Sequence, residues 1–154
     1  MDQVYVNRTI LMVDDDPDDF FLAKEALKDN GLPIDFQLLS DGEELMDYLH
    51  RRGRFTSLEN RPFPCLILLD LNMPKKDGRE TLSEIKKEPN FRRIPIVIFT
   101  TSVEESDISR SYELGANSYI NKPATFEDLS EVMKKLGEYW LGLVKLPGQS
   151  HREF

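Results

Sequence analysis

Apolar and polar positions along the chain alternate between two rhythms. Short apolar runs, "TILMVDD" (Thr9 to Asp15), "IDFQLLS", "CLILLD", "IPIVIFTT" and "NSYINKP", read as strands. Segments of helical spacing separate them. In "DDFFLAKEALKDNG", Phe20, Ala23 and Leu27 share a face, Lys24 and Lys28 lie off it, and Gly31 is a stop signal. "DGEELMDYLH" turns Leu45 and Leu49 inward, "DGRETLSEIKKE" ends before Pro89, and "EESDISRSYELGA" closes at Gly115. "FEDLSEVMKKLGEYWLGLV" puts Phe126, Leu129, Val132, Met133, Leu136 and Trp140 on one face. Five strands alternating with five helices predict an α/β fold with a parallel sheet covered on both faces. The unbroken apolar runs "LILL" and "IVIF" fit strands buried on both sides.

Composition narrows the class. A chain of 154 residues reads as one domain, 1–154, and 40% hydrophobic with 31% charged residues reads as globular. No apolar run approaches the length of a membrane span, and "MDQVYVNRTI" lacks the basic-then-apolar layout of a signal peptide, so no membrane association is expected. One cysteine, Cys65, allows no internal disulfide and fits a cytoplasmic home. A net charge of −8 argues against DNA as a partner.

The stretch "CLILLDLNMP" (Cys65 to Pro74) poses the chemical question, because an apolar run stops on the carboxylate of Asp70. A charge at the lip of a core is costly unless something nearby uses it. In parallel sheets, chemistry gathers at the carboxyl ends of the strands. Those ends carry Asp14 and Asp15, Asp70, Thr100 and Thr101, and Lys122 with Pro123. Asp14, Asp15 and Asp70 would form a cluster of hard oxygens suited to Mg²⁺. Lys122 adds a fixed cation and Thr100 a hydroxyl donor. Together they are the parts that hold a phosphoryl group on Asp70.

The motifs "VDDD", "LLDLNMP", "FTTS" and "NKP", in this order after these strands, resemble the response-regulator receiver domains of two-component signalling. The resemblance covers residues 8–144, leaving a polar tail, 147–154. It implies a flavodoxin-like, doubly wound five-stranded parallel sheet. It also implies that Asp70 is the phospho-acceptor and that Asp15, with Asp14, holds Mg²⁺ together with Asp70 and the backbone carbonyl of Asn72. Thr100 would bond the phosphoryl oxygen, with Thr101 beside it; Lys122 would pair with that oxygen, and Tyr119 would be the aromatic switch residue. The Lys122–Pro123 peptide would be cis. Within the family, "FTTS", "NKP" and the long "RRGRFTSLENRPFP" look most like single-domain regulators partnered with phytochrome-type histidine kinases. The few residues after the last helix leave no room for a DNA-binding output domain, so output is expected through a downstream protein target.

Other residues have plainer readings. Asp16, Asp18 and Asp19 beside Pro17 read as caps and dipole partners of the first helix, and Asp41 and Asp77 as caps or turn residues. Arg51, Arg52, Arg54 and Arg61 read as a solvated loop, or less simply as a dock for an acidic partner. His50 and His151 have no metal-ligand neighbours at useful spacing. Trp140, Leu143 and Leu146 either close the bottom of the core or form an association surface, which allows a homodimer through the last helix. Two rival functions remain. A phosphatase of the haloacid-dehalogenase type would want a second Asp as general acid where Asn72 stands. A flavodoxin-like cofactor binder would want a phosphate site rich in Gly, Ser and Thr, not one ringed by carboxylates.

Overall fold

The computed structural model describes residues 8–29, 31 and 34–147. The tail 148–154, with His151, lies outside the described residues. The elements run β1 (Thr9–Val13), α1 (Pro17–Lys28), β2 (Asp35–Leu39), α2 (Gly42–His50), a 3₁₀ turn (Gly53–Leu58), β3 (Leu66–Leu69), α3 (Gly78–Lys87), β4 (Ile96–Thr100), α4 (Glu105–Glu113), β5 (Ser118–Asn121) and α5 (Phe126–Gly137), which runs on as a π-helical turn (Glu138–Leu143). All five strands are parallel, in the order β2-β1-β3-β4-β5.

Strand residues alternate between faces, so each apolar run feeds two cores. Leu11, Val13, Ile67, Leu69, Ile96 and Ile98 pack on one side with Leu45 and Leu49 of α2 and Leu82 and Ile85 of α3. Ile10, Met12, Leu66, Leu68, Val97 and Phe99 pack on the other with Phe20, Ala23 and Leu27 of α1 and Leu129, Met133 and Leu136 of α5. The expected doubly wound sheet is therefore present. Helix starts follow the acidic caps. Asp16, Asp41, Asp77 and Thr125 each accept a backbone N–H from the first turn of the helix that follows.

Three expectations change. Phe126 does not join the buried face of α5; it is 41% exposed, because the first turn of α5 stands beyond the strand ends, where it lines a small cleft with Leu22 and Pro123. Of Trp140, Leu143 and Leu146, the first and last close the core and Leu143 does not join them. Leu146 is buried beside Leu141, Trp140 is half-buried, and Leu143 points to solvent. Their register is set by the π-helical turn, which no 3.6-residue pattern anticipates. Lys122–Pro123 is trans, like every peptide bond among the described residues, and trans is the intrinsically favoured X–Pro form.

The arginine-rich insert is ordered by its own cations. Arg51, at φ 57°, closes α2 in the left-handed region. Its guanidinium donates to the carbonyls of Tyr48 (3.0 Å), Arg61 (2.9 Å) and Pro62 (3.2 Å) and lies over the Tyr48 and Phe63 rings. Arg52 pairs with Asp47 and Arg54 with Glu44. Three of the four arginines are thus spent holding the insert, which weakens the reading of a dock for acidic partners.

Candidate functional site

Parallel pairing puts every strand's carboxyl end on one edge, and the register brings the chemistry together there. Val13 pairs with Leu69, so Asp14 and Asp70 emerge side by side, and the Asp70 N–H donates to the Val13 carbonyl at 3.0 Å. Thr100 pairs with Asn121, so Lys122 emerges one residue past it, with its N–H on the Thr100 carbonyl at 2.8 Å. Behind Asp70 the backbone is crowded. A Cβ on Gly78 would lie 2.1 Å from the Asp70 carbonyl oxygen and 2.8 Å from Leu71 Cα, so α3 starts directly against the Asp70 main chain.

One carboxylate oxygen from each of Asp14, Asp15 and Asp70 can be chosen so that all three lie within 4.8 Å of one another. Three hard oxygens at that spacing fit a divalent cation of the Mg²⁺ or Mn²⁺ kind. Asp14 and Asp70 are buried, while Asp15 faces solvent. Asp70 Oδ1 accepts the Leu71 N–H at 2.9 Å, and Oδ2 turns toward Lys122 Nζ at 3.7 Å. The Lys122 ammonium is closer to two other carboxylates, Asp14 at 2.6 Å and Asp19 at 2.8 Å. The Thr100 hydroxyl is fully buried at the same edge with no protein hydrogen-bond partner.

The electrostatics follow from burial and crowding. Burial pushes the Asp14 carboxyl up to about 6 from an ordinary 3.8, and the Asp70 charge adds to the rise. The bonds from Lys122 and the Asp16 N–H pull the other way without winning. Burial works against the Lys122 ammonium too, but its bonds to Asp14 and Asp19 outweigh it and hold the lysine above its ordinary value. The site is a buried, net-negative pocket that gains from a cation.

Beside it lies a polar network reaching α4. Tyr119, half-buried against the core, donates its hydroxyl to the Ser102 carbonyl at 2.9 Å, and the Asn121 side chain donates to the same carbonyl at 2.6 Å. The Ser102 hydroxyl donates to Asp107 at 2.6 Å, and Arg79 of α3 pairs with Asp107 at 2.8 Å. The Ser102 hydroxyl, and then Arg79, hold the Asp107 carboxyl below its ordinary value. The loop after β4 is thus tied at once to β5, α3 and α4.

Asp14, Asp15, Asp70, Thr100 and Lys122 come together as the sequence predicts. Asn72 sits two residues past Asp70 on the exposed loop, and Thr101 turns outward and is exposed. Asp19 was passed over. Read only as a dipole partner of α1, it reaches Lys122 instead. Nothing in the sequence set it apart from Asp18 beside it. Ser102, Asp107 and Arg79 carried no sequence signal, because their meeting depends on how α3 and α4 pack.

The family model of the response regulator receiver domain matches residues 10–134 of this chain. The chain belongs to the response regulator receiver family. The receiver is 44% identical over 140 residues to response regulator Rcp1 of Synechocystis sp., spanning 91% of this chain and 93% of that protein. The Mn²⁺-bound form of Rcp1 superposes with a TM-score of 0.82 at 44% identity, over 91% of this chain and 99% of that one. The phosphorylated cyanobacterial phytochrome response regulator RcpA gives a TM-score of 0.84 at 43% identity, over 92% and 99%. The receiver is a phospho-acceptor switch of two-component signalling, similar to phytochrome response regulators. Neither the phosphatase nor the cofactor-binder alternative gains support.

Proposed function

We propose that Asp70 is the phospho-acceptor and that the sensor partner is a histidine kinase of the phytochrome type. The observation that carries the reading is a buried carboxylate flanked by two groups with capacity to spare. Lys122 Nζ stands 3.7 Å from Asp70, and the Thr100 hydroxyl is buried without a partner. In the transfer, an Asp70 oxygen attacks the phosphorus of a phosphohistidine. The new O–P bond forms as the N–P bond breaks, and its electron pair returns to the imidazole nitrogen. Lys122 balances charge on the phosphoryl oxygens, and Thr100 donates its hydroxyl to one of them. Asp14, Asp15, Asp70 and the Asn72 carbonyl would hold Mg²⁺, which when bound supplies neutralising charge to the phosphoryl group. The chain assists its own phosphorylation and dephosphorylation and turns over no other substrate.

The phosphoryl group adds about −1.5 to −2 charge. Drawing Thr100 toward it strains the loop after β4 and, through the Ser102 carbonyl, the hold on Tyr119, so that the face made by α4, β5 and α5 changes. Thr101, exposed beside that loop, rides with it. Exposed Leu22 and Phe126 line a small cleft with Asp19 and Lys122 beside the site, an apolar landing for a kinase helix. Output passes to a downstream protein target, and exposed Tyr139 and Leu143, in the π-helical turn that continues α5, offer a homodimer face. No helix among the described residues is long and apolar enough to cross a membrane, and the single cysteine is buried as a free thiol; both fit a cytoplasmic regulator. Borohydride reduction of acetyl-phosphate-treated protein, followed by peptide mass spectrometry, tests the assignment. Homoserine at position 70 is expected, and homoserine at position 14 or 15 instead would overturn it.

A further inference from the structure

Lys122 is shared unequally among three carboxylates. Lys122 donates a hydrogen bond to Asp19 at 2.8 Å and stands 2.6 Å from Asp14 Oδ2 as an ion pair. Asp70, at 3.7 Å, lies beyond hydrogen-bond reach. The three carboxylates also differ in what they lose on release. The Asp14 and Asp70 side chains are 1% and 9% exposed, whereas that of Asp19 is 35% exposed. Freed from Lys122, Asp14 would be left as a buried charge without its cation, and Asp19 would be hydrated. Asp19 is the one partner Lys122 can exchange cheaply.

We infer that Asp19 is a positioning residue for the phospho-acceptor reaction. It holds the Lys122 ammonium against α1 and Asp14, off Asp70, and gives it up to the phosphoryl group. The inference rests on Asp70 being the acceptor. With Asp19 in place, the acceptor oxygen is free for attack, because its nearest cation is engaged elsewhere. Without it, the donor that Asp19 held is released, Asp70 is the nearest carboxylate after Asp14, and a direct ion pair would occupy the nucleophile. After transfer, Asp19 competes with the phosphoryl oxygens for the lysine, so its removal should prolong the phosphorylated state. A purely electrostatic role gives the opposite sign for the first step. Removing a negative charge near a site that accepts an anionic donor should speed labelling.

The test compares Asp19→Asn with Asp18→Asn, which removes the same charge one residue away, at an exposed carboxylate outside the Lys122 ion pairs. Acetyl phosphate with Mg²⁺ is the phosphodonor, and circular dichroism checks that each variant folds. Asp19→Asn should label about fivefold more slowly and lose its label about fivefold more slowly, the change expected from one charge-assisted contact. Asp18→Asn should label at the wild-type rate or faster, and Asp19→Glu, which keeps a carboxylate in reach, should restore both rates. A second readout needs neither metal nor phosphate. The Lys122 side-chain NMR signal should respond to Asp70→Asn far more in the Asp19→Asn background than in wild type. Labelling of Asp19→Asn at or above the Asp18→Asn rate, or no rescue by Asp19→Glu, overturns the inference and leaves Asp70 as acceptor. A wild-type protein that takes no label overturns both.

Discussion

Replacing Asp14 by Asn should stabilise the metal-free protein, by an amount that grows with pH. Asp14 is 1% exposed, and burial, with help from Asp70, raises its carboxyl to about 6 in the folded chain from an ordinary 3.8. A raised carboxyl binds its proton more tightly folded than unfolded. Its stabilising share is therefore full below pH 3.8 and is lost as pH rises through about 6. At about 1.4 kcal/mol per pH unit, the ionised group at pH 7 costs roughly 3 kcal/mol relative to its neutral form. Asn mimics that neutral form at every pH and still accepts the Asp16 N–H, now made at 2.9 Å. Thermal melts in chelator at pH 4 and at pH 7 measure the difference. At pH 4 variant and wild type should melt together, and at pH 7 the variant should melt about 6–12 °C higher for a chain of this size. Added Mg²⁺ should raise the wild type more than the variant. A variant no more stable than wild type at pH 7 in chelator, or a difference that does not change with pH, would refute the argument that burial outweighs the Lys122 pairing.

Gly78→Ala should be severe, since its Cβ would meet the Asp70 carbonyl oxygen at 2.1 Å and neither backbone can yield. A loss of about 3 kcal/mol in urea unfolding is expected, with acyl-phosphate labelling slowed. Arg51→Ala removes three carbonyl contacts and two ring contacts; it should cost about 1–2 kcal/mol and open residues 53–63 to trypsin. Trp140 shares an apolar groove of about 510 Å³ with Asn117 and Ser118, at the amino end of β5 and so at the opposite edge of the sheet from Asp70. Mg²⁺ alone should leave its fluorescence unchanged, whereas strong quenching that does not depend on protein concentration would contradict that placement.

The sheet was legible because its inner strands β1, β3 and β4 are apolar runs and segments of helical period separate the strands. Burial on both faces and right-handed crossovers leave few arrangements open. Asp70 and Lys122 were legible as charges at strand ends, where a core residue would otherwise stand. Distribution of charge within the site was not. The sequence alone cannot tell that Asp15 faces solvent while Asp14 is buried, so it does not show which carboxylate bears the cost of burial. Nor could it separate Asp18 from Asp19, adjacent and chemically identical, of which Asp19 alone meets Lys122. Leu143, which points to solvent while Trp140 packs against the core, departs from one shared face for a different reason. The helical period gives way to a π-helical turn over Glu138–Leu143, which shifts the register past Gly137.

The most direct test of the acceptor assignment is intact-mass spectrometry of wild type and Asp70→Asn after exposure to acetyl phosphate, with Mg²⁺ and again with chelator. Wild type with Mg²⁺ should gain a single phosphoryl group that hydroxylamine removes, little should form in chelator, and the Asn variant should gain none. A full adduct on Asp70→Asn, or equal labelling of wild type with and without the metal, would contradict the account.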